Sequence, residues 1–136
     1  MEERQIVNLT RGGTVVGSRI QIADTLPTKF VGLMGKQSLD DDAGLFLKDC
    51  TGIHTCWMRI PIDVLYLDAF LRVIEIDVEL KPWRIGSLRR QTRHVLELPA
   101  GALAKCEVLL FDQLDIVPQT KQELSSLSRE FVNAEA

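Results

Sequence analysis

The stretch Ile62–Asp68, IDVLYLD, constrains the fold of this chain more than any other. A strand sends successive side chains to opposite faces. Ile62, Val64, Tyr66 and Asp68 share one parity, and Asp63, Leu65 and Leu67 share the other. Both faces are mostly apolar, so the strand belongs inside a sheet rather than at its edge. Asp63 is the exception. A carboxylate among apolar neighbours on a covered strand needs a partner, because burying it unpaired is costly. Arg59, close by in sequence, is the expected one. The strand is preceded by a dense group of chemically versatile side chains, His54, Cys56, Trp57, Met58 and Arg59, and by a turn at Ile60-Pro61.

Around this strand the chain reads as many short strands and few helices. Gln5–Leu9 is a strand ended by the turn Arg11-Gly12-Gly13, and Thr14–Val16 and Arg19–Ala23 continue it around a bend at Gly17-Ser18. Asp24 or Thr25 can cap a helix with Pro27 in its first turn; Phe30, Leu33 and Met34 give it a buried face and Gly35 a stop. Gly44–Leu47 is a short strand. In Arg72–Leu80 apolar residues alternate with Val73, Glu75, Asp77 and Glu79, which predicts one wet, largely acidic face. Lys81–Arg93 is a basic loop, His94–Leu98 a strand and Ala102–Cys106 a single helical turn. Val108–Phe111 and Leu114–Val117 read as a final strand pair. After Pro118, Thr120 and Glu123 form a capping box, and Leu124, Leu127 and Phe131 predict a C-terminal helix over about Lys121–Val132. The expected fold is therefore mainly β within the α+β class. A single domain over residues 1–118 has antiparallel strands curled into a partly closed barrel with one covering helix, and residues 119–136 form a docked helix and tail.

Composition narrows the function classes. At 136 residues the chain suits one core. A net charge of -3 argues against a dedicated nucleic-acid binder, which needs a dominant basic face. The start, MEERQIVNLT, lacks the pattern of a secretory signal, and the apolar runs are too short and too interrupted to span a bilayer. Three cysteines, Cys50, Cys56 and Cys106, cannot all pair within the chain; reduced thiols in a cytoplasm are the simplest reading. Asp40–Asp42 lacks the alternation, Gly and distal Glu of a calcium loop and reads as a solvated turn.

Four blocks, FVGLMG (Phe30–Gly35), HTCWMRIPIDVLYLD (His54–Asp68), LKPWR (Leu80–Arg84) and VLELPAG (Val95–Gly101), carry a resemblance to the family known as domain of unknown function 192. The spacing among the blocks makes the likeness specific, and it covers roughly Ile20 to Ile116. It resembles most the subgroup with the signature His-Thr-x-x-Met-Arg-x-Pro-Ile-Asp. The resemblance implies a compact, β-rich, barrel-like domain and no particular reaction. The chain departs from the family where Asp68-Ala69-Phe70-Leu71 and Phe111-Asp112 stand in place of turns that usually carry Gly.

Several constellations offer chemistry. Cys50, His54 and Cys56, completed by His94 or Cys106, would make a metal set, but the paired Cys spacing of structural zinc sites is missing, so neither metal nor cofactor is expected. Cys56 or Cys106 with His54 or His94 and Asp63 holds the ingredients of a Cys–His–Asp nucleophile. Asp63 and Glu97, if they faced one pocket, would make a carboxylate pair with one raised pKa, against the plainer and favoured reading that each pairs with Arg59, Arg93 or backbone amides. Lys81, Arg84, Arg89, Arg90 and Arg93 with Trp83 would form a lip for anions or a stacking surface, against the plainer reading of a solvated loop that balances the acidic strand. The leading expectation is a cytoplasmic module that binds a small, anionic ligand or a partner. Its site would be His54, Met58, Arg59 and Asp63, with Lys81, Trp83 and Arg84 at the rim. The alternatives are a hydrolase or lyase using Asp63 and Glu97 or a Cys–His pair, and an interaction protein acting through the C-terminal helix.

Overall fold

The computed structural model describes residues 2–24 and 38–118. The helices expected near Pro27–Met34 and after Pro118 lie outside these residues. Seven strands, β1 (Glu3–Asn8), β2 (Thr14–Ala23), β3 (Ala43–Leu47), β4 (Ile62–Leu67), β5 (Val73–Leu80), β6 (His94–Pro99) and β7 (Leu114–Val117), make one sheet in the order β5-β4-β6-β3-β2-β1-β7. A four-residue helix, α1 (Ala102–Lys105), follows β6.

Period-two alternation places the strands. Every residue of β4 is buried, and the strand lies between β5 and β6 as its two apolar faces require. Leu65 and Leu67 pack on one face with Phe46, Leu96 and Leu98. Ile62, Val64 and Tyr66 pack on the other with Leu45, Leu47 and Val95. Burying such side chains stabilises by about 1.5–3 kcal/mol each, which is why these strands form the centre.

The sheet is mixed, not wholly antiparallel: β2 and β3 run parallel while the other pairs are antiparallel. Val108–Phe111 does not form a strand; only Leu114–Val117 does. The segment before β7 instead bonds back to the turn after β4. Phe111 N–H donates to Val73 O at 2.6 Å, Val73 N–H to Asp112 O at 3.0 Å and Leu114 N–H to Leu71 O at 3.0 Å, around a bridge between Arg72 and Gln113. The two turns that depart from the family's glycines both hold a residue in the left-handed region, Leu71 at φ 64° and Phe111 at φ 72°. Phe111 is 68% exposed, so little packing offsets that conformation.

The acidic face of β5 is not simply wet. Glu75 and Asp77 pair across from Tyr66 and Val64 and meet the basic loop. Arg89 Nε donates to Glu75 at 2.8 Å. The Tyr66 hydroxyl donates to Asp77 at 2.7 Å, and the Ser87 N–H and hydroxyl donate to the same carboxylate at 2.9 and 2.7 Å. Burial and the Asp77 carboxylate raise the Tyr66 pKa, so the hydroxyl remains a donor. Gly86 makes this closure possible, since a Cβ there would overlap the Tyr66 hydroxyl.

Candidate functional site

The segment that precedes β4 and the one that follows β5 are bound together through Thr55. Its hydroxyl donates to Lys81 O at 2.6 Å and accepts from Arg84 N–H at 2.8 Å. Its own N–H donates to Arg84 O at 2.8 Å, and its carbonyl accepts from Trp83 N–H at 3.0 Å. Thr55 is fully buried. A hydroxyl can donate once and accept twice, so one small side chain satisfies groups of both segments. A bridge between His54 and Ile85 and a Gly86 N–H to Ile53 O bond at 3.0 Å extend the join.

This join sets Trp57 against Trp83, with ring centroids 4.8 Å apart at 60°. They are the chain's two tryptophans. Both stay exposed, at 64% and 55%, and both occupy the left-handed region at φ 69° and 63°. Beside them in sequence, His54, Arg59, Lys81 and Arg84 are exposed. Among the described residues Arg59, Lys81 and Arg84 have no ion-pair partner, whereas Arg89 and Arg93 of the basic loop pair with Glu75 and Asp49. Sequence reasoning does not place Trp57 in the site; its adjacency to Trp83 arises only across the join.

The expected site residues divide by depth. His54, Arg59, Lys81, Trp83 and Arg84 reach the surface, while Met58 and Asp63 do not. Met58 is buried in the apolar cluster with Tyr66 and Val64. Asp63 is fully buried, and Arg59 is not its partner. Its carboxylate instead accepts Glu79 N–H at 2.9 Å and Gly101 and Leu103 N–H at 3.1 Å each. It fills an irregularity in the β4–β5 ladder between Ile62 and Val64 and caps the start of α1. Backbone amides, the alternative to Arg59 that the sequence also leaves open, meet the desolvation cost.

Asp63 and Glu97 do not form a pair. In the β4–β6 register Asp63 lies opposite Leu98, and Glu97 lies opposite Val64. They therefore face opposite sides of the sheet, Asp63 with Leu65 and Leu67 and Glu97 with Leu45, Val64 and Tyr66. Glu97 is 5% exposed, and among the described residues its Oε2 has no hydrogen-bond partner. Burial pushes its pKa up to about 7.

Cys106 is not an activated thiol. Cys106 is buried, donates to Ala102 O at 3.3 Å, and has its thiol pKa raised by burial, the opposite of activation. His94 Nδ1 accepts the Asp49 N–H at 3.0 Å, and its ring stacks on Phe46 at 5.3 Å. His54 Nδ1 accepts the Cys56 N–H at 3.3 Å. Among the described residues no three His, Cys, Asp or Glu side chains are grouped to hold a metal ion, and no helix is long and apolar enough to cross a membrane.

Known proteins share this architecture. The chain is 29% identical over 122 residues to the UPF0127 protein TK1120 of Thermococcus kodakarensis, covering 87% of this chain and 76% of that one. It is 28% identical over 113 residues to the UPF0127 protein PF1050 of Pyrococcus furiosus, covering 81% and 96%. Among solved structures, a chain of Sinorhizobium meliloti provisionally named a transcription regulator superposes with a TM-score of 0.75 at 20% identity, over 85% of this chain and 94% of that one. A protein of unknown function from Novosphingobium aromaticivorans gives 0.70 at 24%, over 82% and 83%. At these identities the two structures show a shared fold. The profile of the uncharacterised family DUF192 matches residues 7–116, beyond the start that the four blocks alone suggest, and the chain belongs to that family.

Proposed function

We propose that this domain is a cytoplasmic binding module for a small ligand that carries an anionic group and a flat apolar face. The observation that carries this reading is the pair of exposed tryptophans held in contact in left-handed backbone. Neither exposure nor that backbone region favours stability for a large side chain, so their combination points to use. Trp57 and Trp83 would take the flat face. Arg59, Lys81, Arg84 and His54 would supply the positive field, with Arg59 as anchor. Met58 and Asp63 would hold the segment from beneath. We also propose that the sheet curls into a partly closed barrel, a reading supported by the bonds joining Leu71–Val73 to Phe111–Leu114. The carboxylate-pair enzyme finds no support, because Asp63 and Glu97 face apart. The interaction reading through the C-terminal helix concerns residues outside those described.

Because both tryptophans lie in the site, fluorescence excited selectively at tryptophan reports on it alone. Phenyl phosphate should quench the emission saturably, and phenol or inorganic phosphate at equal concentration should not. Arg59→Ala and Trp83→Ala should each keep a cooperative unfolding transition and lose the response. Unfolding of both variants, or an unchanged response in both, would remove the basis of the proposal.

A further inference from the structure

A cleft of about 360 Å³ is lined by none of the residues assigned to the tryptophan site. Its walls come from β1, β2, β3, β6, β7 and the turn after β4, so it draws on distant parts of the sheet. Ile22, Phe46, Leu71 and Ile116 make the apolar part, all of them continuous with the central core. Lys48 and His94 supply polar groups, and Arg4 and Glu2 stand at the same cleft as an ion pair with each other. Lys48 makes no salt bridge among the described residues, and its charge acts on Asp49 and His94.

His94 is set up as a donor. Its Nδ1 accepts the Asp49 N–H at 3.0 Å, which requires that nitrogen to be unprotonated. The neutral ring therefore carries its proton on Nε2, and no acceptor for that N–H occurs among the described residues. Stacking on Phe46 at 5.3 Å fixes the ring in the wall. Burial lowers the His94 pKa and keeps the ring in this neutral form.

We propose that this cleft binds a small carboxylate with an apolar tail. The tail would lie against Phe46, Leu71 and Ile116. The carboxylate would accept from His94 Nε2–H and be neutralised by Lys48. The volume falls within the range of small-ligand sites, which combine apolar walls with a few placed polar groups and favour the mouths of curled sheets.

The test is a titration of the full chain with octanoate at pH 7, followed on the His94 imidazole by proton–nitrogen NMR; the chain has two histidines, so assignment is direct. The His94 Nε2 resonance should move saturably, and 1-octanol should produce no saturable shift. Lys48→Met should weaken octanoate binding roughly fivefold, the scale of one exposed charge pair. Tryptophan emission should stay constant, which separates this cleft from the tryptophan site. A static His94 resonance, equal binding of 1-octanol, undiminished binding by Lys48→Met, or a fluorescence response to octanoate would each overturn the proposal.

Discussion

Replacing Glu97 by glutamine should remove a pH dependence of stability that this one side chain imposes. Glu97 lies on the β6 face packed with Leu45, Val64 and Tyr66, and its Oε2 is unpartnered among the described residues. Ionising it there places a charge where burial shuts out water, so the folded chain holds the proton up to about pH 7, against an ordinary value of 4.5. Below pH 4.5 both folded and unfolded chains are protonated, and the native state carries no penalty. Between 4.5 and 7 the unfolded chain has lost the proton and the folded chain keeps it, so stability falls as pH rises. Above 7 both are ionised and the loss is complete. At about 1.36 kcal/mol per pH unit, the rise from 4.5 to about 7 corresponds to about 3 kcal/mol. Urea unfolding of the wild type and Glu97→Gln at about pH 5, 6, 7 and 8 measures it. The difference between the two proteins is the relevant quantity, because His94 titrates with a lowered pKa and tilts both curves alike. The introduced amide adds a buried N–H at fixed cost but cannot titrate, so the variant should gain on the wild type by about 2–3 kcal/mol from about pH 5 to 8. Parallel curves over that range would refute the reasoning, as would a carboxyl carbon resonance of Glu97 that titrates near 4.5.

Three further substitutions probe the framework. Thr55→Val keeps the shape but strands the Arg84 N–H and Lys81 carbonyl; it should cost about 2–3 kcal/mol in urea unfolding and shift tryptophan emission as Trp83 moves from Trp57. Asp63→Asn replaces a carboxylate that accepts three backbone N–H groups with an amide that places a donor among them, and should destabilise by about 2–4 kcal/mol in the same assay. Phe111→Gly relieves a left-handed backbone at an exposed position and should raise stability by about 0.5–1 kcal/mol; a loss would show that Phe111 packs more than its exposure implies.

Much of this organisation is legible one residue after another. The alternation in IDVLYLD places β4 inside the sheet, and short apolar runs between turns locate β1, β2, β3, β5 and β6 to within a residue or two. The single turn α1 and the family likeness are local in the same sense. Local periodicity is a property of one strand, so one strand's residues suffice to show it. Where Val108–Phe111 read as a strand, the pattern misled, because a short apolar run does not disclose whether a ladder partner exists.

Relations between segments were decided by the tertiary structure alone. Register is a property of two strands, and a slip of one residue reverses the face of every side chain. That is why Asp63 and Glu97, alike in sequence as lone acids in apolar strands, face apart once Asp63 lies opposite Leu98. The partners of Asp63 lie 16, 38 and 40 residues away and are backbone amides, which carry no residue-type signal. The parallel pairing of β2 with β3, the Thr55 join and the contact of Trp57 with Trp83 have the same origin. Sequence determined which residues must be buried and which segments extend, because burial and alternation act within a segment; only the folded chain decided which of them meet, because the energy of meeting belongs to pairs.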